Sequence, residues 1–297
     1  MLLALAAIWG ASFLFIKVVV RELTPATLIV GRLGLAAVTL ALIAPAAVGR
    51  RETLRQLRES WLWLTVVALV NTAIPFWLLS WGETRIDSGL ASIIQASVPI
   101  FNAVIAFIAF REVRVTGTRL LGVAVGFVGV ALLVGAQPQG KVLGALAVVG
   151  MAFCYGVGGL LTGRYLHQVR PIVVALASTS FATLVWLPVG VAQAPTHTPG
   201  WKTIGSVVAL GIPGTALAYL LFFALISGAG AAYTSLVTYL IPPIALAYGA
   251  IFLGERFGAT AFGGLALILA GVALGSGGVR VARLQRARFT GETRFPP

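Results

Sequence analysis

The sequence predicts an all-α integral membrane protein, with ten transmembrane helices arranged as two inverted five-helix repeats. Three observations carry that prediction. Of 297 residues, 59% are hydrophobic and 10% are charged, whereas a soluble domain carries about a quarter charged residues to face water. Ten apolar runs have the roughly 20-residue length that crosses a ~30 Å hydrocarbon core. Motifs of the first half also return, in order, in the second.

The runs occupy 2–20, 27–48, 61–81, 88–110, 117–135, 142–163, 171–191, 203–226, 230–253 and 260–279. The first opens MLLALAAIWG. It lacks the basic n-region and cleavage signal of a secretory leader and reads as a retained span. Prolines at 75, 99, 188, 213, 242 and 243 fall inside runs. They would break helices in water, but in a bundle neighbouring helices and hydroxyls satisfy the freed backbone groups.

Loop charges set the orientation. With a cytoplasmic N-terminus, fourteen arginines fall on the inner side, including Arg50, Arg51, Arg111, Arg164 and Arg280. The outer side holds five basic residues, Arg21, Arg85, Lys141, Lys202 and Arg256. The positive-inside rule then puts both termini in the cytoplasm. The net charge of +13 therefore lies in short gaps rather than on a basic domain, which speaks against nucleic-acid binding. Residues 281–297 read as a basic cytoplasmic tail held by anionic lipid.

The repeat divides the chain into 1–138 (spans one to five) and 139–280 (spans six to ten). Pro99 precedes Glu112 by thirteen residues, and Pro242 precedes Glu255 by the same thirteen. GVAL follows each, at 129–132 and 271–274, while Trp9 and Pro25 are matched by Tyr155 and Pro171, and VVAL recurs at 66–69 and 207–210. Five is odd, so the second half enters from the opposite side, as in many secondary transporters.

Polar residues within spans face protein or a cavity, because lipid cannot hydrogen-bond them. In span four Ser92, Gln95, Pro99 and Asn102 share one helical face. Shifted by 143, that face becomes Ser235, Thr238, Pro242 and Ala245, with Tyr239 beside it. Trp9 and Ser12 of span one share a face, Tyr155 is the counterpart of Trp9, and spans three and eight add Asn71, Trp77 and Tyr219. Lys17, near the outer end of span one, is a candidate for a substrate carboxylate at an outer vestibule. Arg32, near the outer end of span two, is expected to snorkel to the interface. The candidate lining is thus Trp9, Ser12, Lys17, Asn71, Trp77, Ser92, Gln95, Asn102, Tyr155, Tyr219, Ser235, Thr238 and Tyr239, with Pro99 and Pro242 as hinges. An aromatic lining with a few amides and hydroxyls suits a small amphipathic or zwitterionic molecule. The competing reading is packing: membrane serines and threonines often bond only their own backbone, and Trp61, Trp63, Trp81 and Trp201 sit where interface anchors do.

Glu83, Glu112 and Glu255 all fall at span ends, so transport driven by a central protonatable carboxylate is not expected. Residues 135–141 fit G-x-x-x-x-G-K, but Val142 replaces the metal-binding hydroxyl and no strand precedes the loop. No catalytic motif is present. The single Cys154 and the separated His167 and His197 offer neither a disulfide nor metal-ligand spacing. No cofactor is expected, and the partners are a small-molecule substrate and lipid. Small-xxx-small pairs at Gly122–Gly126, Gly159–Gly163 and Gly271–Gly275 allow close helix approach, giving either a monomer or a homodimer through spans five and ten.

Trp9–Gly10 in span one, the early Arg32 in span two, and the Pro99/Glu112 and Pro242/Glu255 pairs resemble the EamA-type members of the drug/metabolite transporter superfamily, over essentially the whole chain. The resemblance implies a central cavity lined by spans one, three, four, six, eight and nine, and export of amino acids or related metabolites across a bacterial inner membrane. The YddG branch handles aromatic amino acids and methyl viologen. The second half has Tyr155 and Ser178 where the pattern would repeat Trp-Gly and the arginine. Sugar-phosphate, nucleotide-sugar and drug carriers are the alternatives within transport, and a membrane scaffold or receptor is the alternative outside it.

Overall fold

The computed structural model describes residues 1–109, 117–138 and 140–275. Glu112, Arg111, Arg114, Gln139 of the glycine-rich loop and the basic tail lie outside the described residues. The rest is helical: α1 Leu2–Val19, α2 Pro25–Val48, α3 Arg50–Glu59, α4 Trp61–Ala68, α5 Ile74–Glu83, α6 Ser88–Gln95, α7 Val98–Ala109 and α8 Gly117–Gly135, followed by α9 Val142–Tyr165, α10 Pro171–Ala192, α11 Trp201–Gly211, α12 Ala218–Ala229, α13 Ala231–Thr234, α14 Val237–Leu253 and α15 Ala259–Gly275. Seven helical stretches are long and apolar enough to cross a membrane, and Leu120–Gly135, Val237–Leu253 and Ala259–Leu274 are shorter apolar helices. Leu42 and Ile251 are more than 70% exposed on apolar helices, a placement that lipid tolerates and water would penalise. The chain is a multi-pass membrane protein.

Local chemistry sets the helix starts. Thr24 caps α2 by accepting from the Thr27 amide at 3.3 Å, and prolines occupy the first turn of α2 and α10, where their missing N–H costs nothing. Helix α3 was not anticipated from sequence. Gly49, at φ +94°, turns the chain into it, and Gln56 on its buried side accepts from the Arg170 amide at 2.8 Å. On its outer side Arg55 donates to Glu52 at 2.7 Å and holds that carboxyl below the usual carboxylate range.

Two π-helical turns interrupt the bundle, Leu69–Ala73 between α4 and α5 and Ile212–Leu217 between α11 and α12. Their starts are separated by the same 143 residues that align the polar faces of spans four and nine. Helix α1 packs on α11 and α14, while α9 packs on α5 and α7. Each of these two helices thus crosses to the other half. The most extensive cross-half pairs are α2 with α10 and α8 with α15. In the last, a Cβ on Gly271 would lie 2.5 Å from the Gly126 amide nitrogen and 2.6 Å from the Gly122 carbonyl. These glycine faces meet within one chain.

Candidate functional site

At the centre of these crossings lies a cavity of about 250 Å³. It is lined by Trp9, Ser12, Phe13 and Ile16 of α1, Arg32 of α2, Phe76 and Leu79 of α5, Gln95 of α6, Tyr155 of α9, Tyr219 and Phe222 of α12, and Thr238 and Ile241 of α14. Asn71 and Thr215 enter from the two π-turns. Seven of the residues singled out in the sequence meet here: Trp9, Ser12, Asn71, Gln95, Tyr155, Tyr219 and Thr238. Pro99 and Pro242 cannot donate the helical hydrogen bond to the carbonyls four residues back, which belong to Gln95 and Thr238. Both prolines thus loosen the backbone at a cavity residue. At Pro99 the loosening is a break, Ala96–Ser97, whereas α14 runs unbroken through Pro242.

Arg32 does not snorkel. It is 6% exposed, on the buried stripe that also holds Leu28, Ala36 and Leu40, and it points into the cavity rather than to an interface. The stripe decides its direction: a residue spaced by fours from buried leucines faces the bundle. Its Nε donates to Thr215 Oγ1 at 3.0 Å, and its guanidinium carbon sits 4.5 Å above the Phe76 ring. Thr215 Oγ1 in turn donates to the Leu210 carbonyl at 2.8 Å, five residues back. The threonine proton is thereby committed to the π-turn, and its lone pairs are left to hold the arginine. The Thr215 contact is the one side-chain hydrogen bond of Arg32 among the described residues, so both terminal nitrogens remain available to a ligand.

The other candidates lie elsewhere. Lys17 Nζ donates to the carbonyls of Glu83 and Ile86, at 2.7 Å each, so it ties α1 to the end of α5 and faces no vestibule. Ser92 is buried and donates to the Gly89 carbonyl at 2.6 Å. Trp77 stacks between Trp81 and Trp186, whose centroids are 5.9 and 5.6 Å away. Asn102 lies against Gly156 and Gly159 of α9. Ser235 is exposed, and Tyr239 packs on the main apolar core. Each lies outside the cavity lining.

The two ends of the bundle differ. A second cavity of about 540 Å³ shares Asn71, Tyr219 and Phe222 with the first and continues to Thr162, Leu166 and His167. At the opposite end several contacts close the bundle. Glu255 accepts from the Ser88 and Gly89 amides at 2.8 and 3.1 Å and from Ser88 Oγ at 3.0 Å, capping α6 from beyond α14. Glu22 accepts from the Gly200 amide at 2.8 Å, and Thr27 Oγ1 donates to the Gly190 carbonyl at 3.0 Å. These bonds join the two halves at that end, where the Lys17 contacts also tie α1 to the end of α5.

The EamA-like transporter family model matches residues 1–135 and again 142–276. A probable terminal-alkyne amino-acid exporter of Streptantibioticus cattleyicolor is 29% identical over 276 residues, covering 90% of this chain and 89% of that one. A probable amino-acid metabolite efflux pump of Escherichia coli is 28% identical over 297 residues and covers 94% of each chain. A crystal structure whose chain is 19% identical superposes with a TM-score of 0.63, covering 95% of this chain and 97% of that one, and so has the same fold.

Proposed function

Since the chain belongs to the EamA-like transporter family, we propose that it exports amino acids across a bacterial inner membrane by alternating access. The observation that carries the substrate reading is Arg32, a half-satisfied guanidinium set among aromatic rings in a central cavity. Its terminal nitrogens match a carboxylate in planar, two-bond geometry. Gln95 and Asn71 supply amide oxygens for the ammonium group, which the faces of Trp9 and Tyr219 also attract. Phe222 and Ile241 complete an apolar wall for a side chain.

Size and charge select within the superfamily. The central cavity, about 250 Å³, suits an amino acid, whereas a nucleotide sugar would have to extend into the adjoining cavity of about 540 Å³, whose lining has no Lys or Arg among the described residues. One arginine also balances one carboxylate, whereas a diphosphate calls for several cations. The names of the S. cattleyicolor and E. coli relatives point the same way. A scaffold or receptor would need no polar cavity where the two halves cross.

In this reading the seven long and three shorter helices make ten crossings in two inverted repeats, with both termini in the cytoplasm. The Lys17 end is then the outer gate, closed, and the His167 end is open to the cytoplasm. The test is binding of L-phenylalanine to purified protein by calorimetry, beside its amide and phenethylamine. Phenylalanine is expected to bind on the order of 10²-fold more tightly than either analogue, since both lack the carboxylate that pairs with Arg32. Equal affinities would remove the carboxylate from the reading.

A further inference from the structure

Glu83 ends α5 with its side chain 0% exposed, and neither carboxyl oxygen has a hydrogen-bond partner among the described residues. None of its charged neighbours hydrogen-bonds it. Lys17 spends its ammonium on the carbonyls of Glu83 itself and of Ile86. Glu255 spends its carboxylate on the start of α6. These two and Arg32 are the charged groups that face Glu83 from α1, from beyond α14 and from α2. Helix α9, packed on the same side, brings Gly144 and Val148 against Gly82. Leu79, one turn below on the same face, lines the central cavity.

We propose that Glu83 is a proton-binding site of the outer gate, through which the pH gradient biases the transport cycle. This rests on the transporter reading above. A buried carboxylate with no donor is costly, and a bound proton removes the charge. When the Lys17 end opens, water reaches Glu83 and the Lys17 ammonium leaves its two carbonyls, so the ionised carboxylate is stabilised there. Closing that end takes a proton from the outer solution onto a Glu83 oxygen. The proton then leaves through the cavity below Leu79 before the gate reopens. External acid therefore closes the outer gate, which is the return step an exporter needs after releasing its substrate. The carboxylate lies at a span end, as the sequence indicates. Its complete enclosure is what the sequence does not show.

The test is a distance measured by pulsed electron resonance in the full-length protein in lipid nanodiscs. Spin labels are placed at Arg21→Cys and Thr84→Cys in a Cys154→Ser background. The outer-end distance is expected to shift from a long to a short population as pH falls, and Glu83→Gln is expected to hold the short population at every pH. A wild-type distance distribution that ignores pH, or a pH response that survives in Glu83→Gln, would overturn the proposal. Should Glu83→Gln fail to fold, Glu83→Asp, which keeps a titrating group, must respond with a shifted midpoint, and an unshifted midpoint counts against it. Counterflow of labelled phenylalanine by the wild-type protein reports separately on the transporter reading, so a gate insensitive to pH in a transporting protein refutes only the proton site.

Discussion

Replacing Arg32 with alanine is expected to abolish phenylalanine binding and transport while leaving the protein folded. The guanidinium is the charged group of the cavity lining, and its surroundings hold it in place: Thr215 receives its Nε and Phe76 lies beneath its plane. Removing one partner of a buried charge pair costs about 2–5 kcal/mol, so affinity should fall on the order of 10²-fold or more. Arg32→Lys keeps the charge but loses the planar fork, and the Lys ammonium is more strongly hydrated. It should recover only part of the affinity. Calorimetry on both variants decides the matter, and wild-type affinity in Arg32→Ala would remove Arg32 from the site.

The second large effect concerns the α8–α15 contact. Gly271→Leu would drive a side chain into backbone atoms, the Gly126 nitrogen and the Gly122 carbonyl, and backbone cannot move aside as a flexible side-chain end can. Overpacking of this kind costs about 1–3 kcal/mol and sometimes more. A clear drop in Tm in detergent is expected. Gly205→Leu, where nothing lies within 4 Å of the added carbon, should leave Tm unchanged and serves as the control. Equal behaviour of the two variants would contradict the close approach.

Much of the site is legible in the sequence because polar residues inside apolar runs are few, and lipid forces most of them inward. Gln95 and Thr238, related by the 143-residue shift, both reach the cavity. So do Asn71 and Tyr219, at or beside the two π-turns. Arg32 and Lys17 show where such reading fails. In a soluble helix the apolar stripe marks the inner face, but in a bilayer both faces are apolar and the stripe says little. Arg32 could therefore be placed only by its distance from the span end, which suggested snorkelling. The spacing Leu28, Arg32, Ala36, Leu40 was the available signal, and only packing shows that this stripe is the buried one. The carbonyls that hold Lys17 belong to the backbone 66 and 69 residues away, and backbone groups carry no sequence signature. Helix α3 was missed for a different reason, since ten residues, eight of them polar, between two spans look like a loop until Gln56 finds the Arg170 amide.

The central claim is that this cavity carries amino acids across the membrane, and counterflow tests it most directly. Purified protein in liposomes preloaded with unlabelled L-phenylalanine is given a trace of labelled phenylalanine outside. The account predicts a transient, saturable accumulation of label above that of protein-free liposomes, lost in Arg32→Ala. Label entering at the protein-free rate, for phenylalanine and for every other amino acid tried, would contradict it.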